Sequence, residues 1–154
     1  MMKIVDFITP AVINVYIQGA DRSSVFKELI AMLAKENPGL DASLILRILE
    51  EREKLGSTGI GNGVAIPHGK VKGLRKVLVA VGRSVKAIDF DSEDGQPVHL
   101  FFLIVAPGNA VSIHLTLLAR INSIAGIPEL RQKLMEAQSA EDMMRCISEF
   151  DLDE

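Results

Sequence analysis

The sequence is poor in cysteine and in net charge, and each shortage excludes a class of protein. Cys146 is the one cysteine in 154 residues, which excludes an internal disulfide framework, and we expect it to be buried packing. The formal net charge at pH 7 is only −3, so the chain lacks the basic field that displaces counterions from nucleic acid. We therefore expect no nucleic-acid partner.

Long hydrophobic runs and targeting signals are lacking too. No apolar stretch approaches the roughly 20 residues of a membrane span. The N-terminal residues do not show the charged region, apolar run and cleavage site of a signal peptide. We expect a cytoplasmic protein without direct membrane insertion. Its length and its 48% hydrophobic content predict a single domain over residues 1–154.

What is present is an alternation of helical and extended patterns. A first strand is predicted over 11–17 and another over 76–81. Residues 98–106 form an almost continuous apolar run, typical of a central strand covered on both faces. The predicted fold class is α/β or α+β, a single domain with one sheet and helices packed on it. Five helix starts are predicted: the first at Asp21, Ser23 or Ser24, and the others at Asp41, Ser112, Pro128 and Ser139.

A glycine-rich loop, residues 56–63, separates a helical from an extended segment. It does not match a P-loop, because five residues separate Gly63 from Gly69 and Val71 stands where Ser or Thr is required. It does not match a Rossmann fingerprint, because its glycines alternate with single residues. The acidic stretch 89–95 lacks the glycine and glutamate of a calcium loop, and no histidine pair has zinc spacing. We expect no cofactor, no metal, and a solvated turn at 89–95.

His68 follows that loop and lies between Pro67 and Gly69. Proline fixes its own φ and favours an extended conformation at Ile66, whereas Gly69 permits a sharp turn after the imidazole. Backbone amides of the glycine loop can bind an anion. The pattern predicts a strand end that presents one imidazole beside an anion-binding loop.

Two further residues complete a candidate site. His114 falls near a helix start, where free backbone amides favour anions, although a partly buried helix residue is the alternative. Arg52 lies on the apolar stripe of the helix before the loop and can aim its guanidinium at it; a cation stabilising the helix end is the alternative. Two imidazoles and an arginine indicate phosphoryl transfer through phosphohistidine, because neutral imidazole is a good nucleophile near pH 7. His99, inside the apolar run, is interpreted as a structural histidine.

The segment Gly56–Lys70 resembles the active-site segment of the fructose/mannitol-type (type 2) enzyme IIA domains of the bacterial phosphoenolpyruvate-dependent phosphotransferase system. It is most similar to the nitrogen-regulatory branch. The resemblance implies that His68 is phosphorylated, that His114 is the second active-site histidine, and that Arg52 assists. It also implies a mixed β-sheet flanked by helices, and an HPr-type phosphohistidine protein as donor with enzyme I upstream.

The resemblance leaves three functions open. The leading one is a phosphoryl carrier with a regulatory output, which binds regulated proteins according to its phosphorylation. The second is a sugar-specific IIA component that donates to a cysteine of a separate IIB protein. The third is a binding module whose histidine pocket is vestigial. A hydrolase with His68 as general base is disfavoured, because no oriented Ser, Cys or carboxylate partner is evident.

Overall fold

The computed structural model describes residues 2–152, which form a six-stranded mixed sheet and five α-helices. The strands are β1 (Ile13–Asn14), β2 (Gly59–Gly61), β3 (Val64–Ala65), β4 (His68–Lys70), β5 (Leu78–Ile88) and β6 (Val98–Ala106). The helices are α1 (Arg22–Glu36), α2 (Ala42–Lys54), α3 (Val111–Ala125), α4 (Pro128–Glu136) and α5 (Ala140–Phe150). Two short 3₁₀ helices, Ile4–Phe7 and Pro10–Val12, precede β1. The predicted fold class is confirmed.

Strand β6 is the centre of the sheet. It pairs with β5 in antiparallel fashion, and both β3 and β4 pair with it in parallel. Strand β1 extends the sheet beyond β5, and β2 extends it beyond β3. All residues of β6 except His99 are buried, and because successive side chains point to opposite faces, both faces of this strand are covered. The prediction of a covered central strand at 98–106 is confirmed.

Local capping signals place the helices that frame the sheet. The carboxylate of Asp21 accepts a hydrogen bond from Ser24 N at 2.8 Å, and that of Asp41 accepts one from Leu44 N at 3.1 Å. The two predicted helix starts at these residues are confirmed. Helix α1 packs on β5 and on α2. Helix α2 in turn packs on β4, so α2 lies next to the strand that contains His68.

The predicted caps of the last two helices are confirmed as well. Pro128 occupies the first turn of α4, where its missing N–H costs nothing. The Ser139 hydroxyl accepts a hydrogen bond from Asp142 N at 3.1 Å and begins α5. Among the described residues no single helix is long and apolar enough to cross a membrane. Helices α3 and α4, which meet at a bend of 87°, are together long and apolar enough for a span, by length and composition only.

Three predicted boundaries are wrong. The strand expected over 11–17 is only two residues long, because the Asn14 side chain accepts a hydrogen bond from Tyr16 N at 2.8 Å and turns the chain. Strand β5 runs to Ile88, well past the predicted end at 81, through polar residues that hide the pattern. Ser112 does not cap α3. The helix begins at Val111, and its N-cap residue is Ala110, so no side chain caps it.

The glycine-rich loop folds into a hairpin on the edge of the sheet. Strands β2 and β3 are antiparallel, and the turn between them has positive φ at Asn62 (57°) and Gly63 (77°). Asn-Gly is the pair that tolerates two such residues in succession, as a tight hairpin turn requires. Strand β3 then pairs with β6, so the hairpin leads directly into the segment that ends at His68.

Candidate active site

His68 is the first residue of β4 and is half-buried. Its Nδ1 lies 2.7 Å from the carbonyl oxygen of Ile66. A carbonyl can only accept, so this contact assigns the proton to Nδ1 and leaves a lone pair on Nε2. Burial lowers the pKa of His68 below 6.5, and the charge of Arg52 adds to that lowering, while the Ile66 bond and Glu53 oppose it. The ring is therefore neutral near pH 7.

His114 lies beside it, in the first turn of α3. The two ring centroids are 5.5 Å apart, and the rings meet edge to face at 74°. The His114 side chain is buried, with 5% of the residue exposed, and its Nε2 has no hydrogen-bond partner within the described residues. Burial, followed by the charges of His68 and Lys70, lowers the pKa of His114. An unpartnered buried nitrogen in this place can bind a group that enters the site.

Arg52 lies in the last turn of α2, as predicted. Its Nη1 donates a hydrogen bond of 2.8 Å to the carbonyl of Gly56, at the start of the glycine-rich loop. This bond ties the guanidinium to the loop while the remaining N–H groups stay available for an anion. The sequence prediction that Arg52 aims at the loop agrees with this geometry.

Two clefts meet at His68, and Arg52 lines both of them. The first, of about 430 Å³, is also lined by Ser57, Thr58, Leu115 and Asn122 among others. The second, of about 480 Å³, is also lined by His114, Lys70, Leu55 and Glu51 among others. Glu51 is the only carboxylate among the described residues that line these two clefts. The surroundings of His68 are therefore richer in cations than in anions, as phosphate binding requires.

A second loop supports the glycine-rich hairpin. The carboxylate of Asp94 accepts a hydrogen bond from Asn62 N at 2.9 Å, and Ser57 Oγ donates to the carbonyl of Phe90. A Cβ on Gly59 would lie only 2.1 Å from Ser92 Oγ, so the two loops touch where only glycine fits. The acidic turn 89–95 is thus a support for the hairpin, and its prediction as merely solvated was wrong for its buried residues Phe90 and Ser92.

The structure brings all three predicted residues, Arg52, His68 and His114, to the second cleft, and Arg52 and His68 also line the first. It leaves His99 outside, where Nδ1 lies 2.9 Å from the carbonyl of Ser84. Cys146 is partly buried in α5 and packs against the core, and burial raises its pKa. Within residues 2–152 no group of three or more His, Cys, Asp or Glu side chains is arranged to hold a metal ion.

Sequence reasoning missed two residues that shape this site. Glu53 follows Arg52 and is buried, with its carboxylate bound to Thr58 in the glycine-rich loop. A glutamate in the last turn of an amphipathic helix is normally solvated, so its position alone gives no signal. The signal that could have found it is Thr58, a polar residue that must find a partner where the chain leaves the helix.

Known proteins resemble this chain over most of its length. A family model described as the EIIA 2 component of the phosphoenolpyruvate-dependent sugar phosphotransferase system matches residues 6–150. The nitrogen regulatory protein of Pseudomonas aeruginosa is 35% identical over 147 residues, which cover 96% of this chain and 96% of that protein. The fructose-specific EIIABC component of Bacillus subtilis is 35% identical over 150 residues, which cover 97% of this chain but only 24% of that protein.

A solved structure gives the same result in three dimensions. The crystal structure of nitrogen regulatory protein IIA-Ntr from Neisseria meningitidis has a TM-score of 0.84 and 33% identity, and the match covers 94% of this chain and 98% of that one. The resemblance predicted from Gly56–Lys70 is confirmed. The fold, the matched range and these relatives together place the chain in the EIIA 2 family of the phosphoenolpyruvate-dependent sugar phosphotransferase system.

Proposed function

We propose that this chain is a cytoplasmic phosphoryl carrier that accepts a phosphoryl group on Nε2 of His68 from an HPr-type phosphohistidine protein. The observation that carries the proposal is the 2.7 Å contact between His68 Nδ1 and the Ile66 carbonyl. It fixes the tautomer whose Nε2 lone pair can attack phosphorus, and burial keeps that ring neutral by lowering its pKa.

The transfer step exchanges one N–P bond for another. The Nε2 lone pair of His68 attacks phosphorus, the donor's N–P bond breaks, and its bonding pair returns to the donor nitrogen. The Nδ1 proton stays on His68 and donates a hydrogen bond to the Ile66 carbonyl, which stabilises the positive ring that results. Arg52, Lys70 and the unpartnered Nε2 of His114, when protonated, stabilise charge on the phosphoryl oxygens.

The rim of the two clefts supports a protein as the donor. Leu55, Ile60 and Leu115 line the clefts with 85%, 40% and 60% of their surfaces exposed. Large exposed apolar side chains around a reactive group are typical of a protein-docking surface, whereas a small anionic donor would gain no binding energy from them. A phosphorylated partner can therefore bury this rim while its phosphohistidine enters the cleft.

The proposed output is regulatory, as the name of the Pseudomonas relative suggests. A phosphoryl group adds about −1.5 to −2 charges, and at His68 they would stand next to the apolar rim. A partner that binds this rim would then distinguish the two states. The sugar-specific alternative, donation to a separate IIB protein, is supported by the fructose-specific relative. Transfer from the phosphorylated chain to a cysteine of a fructose-type IIB protein would favour that alternative.

The test is phosphorylation with phosphoenolpyruvate, enzyme I and an HPr-type carrier, followed by intact mass before and after mild acid. We expect one acid-labile phosphoryl group on the wild type and none on His68→Ala. His114→Ala should still be labelled, but about 10²-fold more slowly, because it removes one stabilising group. His99→Ala is the matched control and should behave as wild type. Equal labelling of a folded His68→Ala variant would refute the site.

A further inference from the structure

Glu53 is a buried carboxylate that the transfer chemistry above does not use. Only 6% of the residue is exposed, and it accepts hydrogen bonds from Thr58 N at 3.1 and 3.3 Å and from the Thr58 hydroxyl. Arg22 Nη1, from helix α1, lies 3.8 Å from its other side. A buried charge is costly unless it is paired and hydrogen-bonded, so these partners must hold it in one place.

Glu53 is the first member of a continuous series of hydrogen bonds that ends on His68. Its carboxylate binds Thr58, and the Thr58 carbonyl accepts from Ile66 N at 3.0 Å. The Ile66 carbonyl in turn is the acceptor 2.7 Å from His68 Nδ1. The hydrogen bonds between Thr58 and the imidazole run through the backbone of the loop and of the segment before β4. A displacement of Thr58 therefore moves the carbonyl that fixes the His68 tautomer.

We propose that Glu53 is a positioning residue for His68: it holds Thr58, and through Thr58 and Ile66 it keeps the proton on Nδ1 and the nucleophilic lone pair on Nε2. This role rests on the proposed phosphorylation of His68. The negative charge of Glu53 also opposes the lowering of the His68 pKa by Arg52. Hydrogen-bond partners behind a reactive histidine commonly fix its tautomer and its orientation.

The decisive variant is Glu53→Gln, which keeps the shape of the side chain but replaces one acceptor oxygen with a donor NH₂. That amide cannot accept from Thr58 on both sides, and it offers Arg22 no charge. The matched control is Glu50→Gln, in the same helix, whose carboxylate accepts a hydrogen bond from Ser23 Oγ of helix α1 at 2.8 Å. Both variants lose one charge and weaken one contact between α1 and α2, but only Glu53→Gln weakens the series to His68, because one oxygen must then accept from both Thr58 N and the Thr58 hydroxyl.

The first readout is the ¹⁵N spectrum of the His68 ring in the unphosphorylated protein, recorded as a function of pH. We expect Glu53→Gln to lower the fraction with the proton on Nδ1 and to lower the His68 pKa further. The second readout is the rate of phosphoryl acceptance, which should fall by about 10- to 100-fold. Glu50→Gln should match wild type in both. A folded Glu53→Gln variant with a wild-type ring spectrum would overturn the proposal.

Thr58→Val keeps the proposal testable if Glu53→Gln does not fold. It removes the hydroxyl and retains the N–H bond to Glu53, so the ring spectrum should change in the same direction by a smaller amount. An unchanged spectrum in folded Thr58→Val would overturn the inference. The ring spectrum needs no phosphoryl donor. A wild-type protein that accepts no phosphoryl group therefore refutes the proposed function and leaves the positioning result to be judged separately.

Discussion

Replacing Gly69 with alanine would place a methyl group inside the contact between β4 and helix α2. A Cβ built on Gly69 lies 2.6 Å from Cγ2 of Ile48 and 3.9 Å from Cδ2 of Leu49. Carbon atoms in contact are normally about 3.5–4.0 Å apart. Ile48 is β-branched and has one strongly preferred rotamer in a helix, so its methyl group cannot swing aside. The strand itself must move, and Gly69 directly follows His68.

The expected cost is that of an overpacked core position, about 1–3 kcal/mol in the free energy of unfolding. For a chain of this length the melting temperature falls about 2–4 °C per kcal/mol, so we expect a decrease of about 2–12 °C. Urea unfolding followed by circular dichroism measures the first quantity, and thermal unfolding measures the second. The control is Gly108→Ala, because a Cβ on Gly108 has no heavy atom within 4 Å. It should stay within about 0.5 kcal/mol of wild type.

A second substitution tests the cause. Ile48→Ala removes the clashing methyl group and leaves the Leu49 contact at an ordinary distance. The double variant Gly69→Ala/Ile48→Ala should then be more stable than the sum of the single effects predicts, by at least about 1 kcal/mol. Additive costs would refute the steric explanation. A Gly69→Ala protein as stable as wild type would refute the placement of β4 against α2.

Three further predictions concern the pH dependence of the rate, the pH dependence of stability, and helix capping. The rate of phosphoryl acceptance should rise with pH with a midpoint below 6.5, because burial lowers the His68 pKa. Initial rates from pH 5 to 8 measure this midpoint. A midpoint above 6.5 would contradict the assignment of His68 as the nucleophile. The lowered pKa of His68 also affects stability, because below pH 6.5 the unfolded chain binds more protons than the folded one. The contribution of neutral His68 to the free energy of unfolding is therefore present above pH 6.5 and is lost as the pH falls through the pKa of the folded state. His68→Ala should flatten the dependence of the urea midpoint on pH. Ser139→Ala should cost about 1 kcal/mol in urea unfolding, whereas exposed Ser148→Ala should cost nothing measurable.

The sequence predicts best what depends on neighbouring residues. The helix caps at Asp21, Asp41 and Ser139 require only a side chain and an amide three residues later, and all three form. The apolar run at 98–106 identifies the central strand because a strand covered on both faces needs no polar residue. The part of the candidate site around His68 shares this property, since Pro67, His68 and Gly69 are consecutive, whereas Arg52 and His114 are assigned to it from their residue types and from the family resemblance.

The sequence does not predict contacts between distant residues. The sequence gives no sign that the Asp94 carboxylate binds the backbone N–H of Asn62, or that Gly59 lies against Ser92. Glu53 has the same difficulty, because its burial depends on how the loop folds back over the end of α2. The end of strand β5 was predicted wrongly for a related reason. Strand β5 continues past 81 because β6 offers it partners as far as Val98, whatever its own polarity.

Both strands that flank Pro67 pair with β6 at a constant sequence separation, Val64 with Leu100 and His68 with Ile104. Strand β3 also pairs with its neighbour β2, but the parallel hydrogen bonds of both β3 and β4 depend on β6. Such non-local pairing forms late, because the intervening chain must lose its freedom first. During synthesis, His68 therefore gains its surroundings only after β6 has left the ribosome, and its companion His114 emerges later still. Under the proposed function, phosphorylation of His68 would depend on the pairing of β4 with β6, so a product truncated before β6 should accept no phosphoryl group.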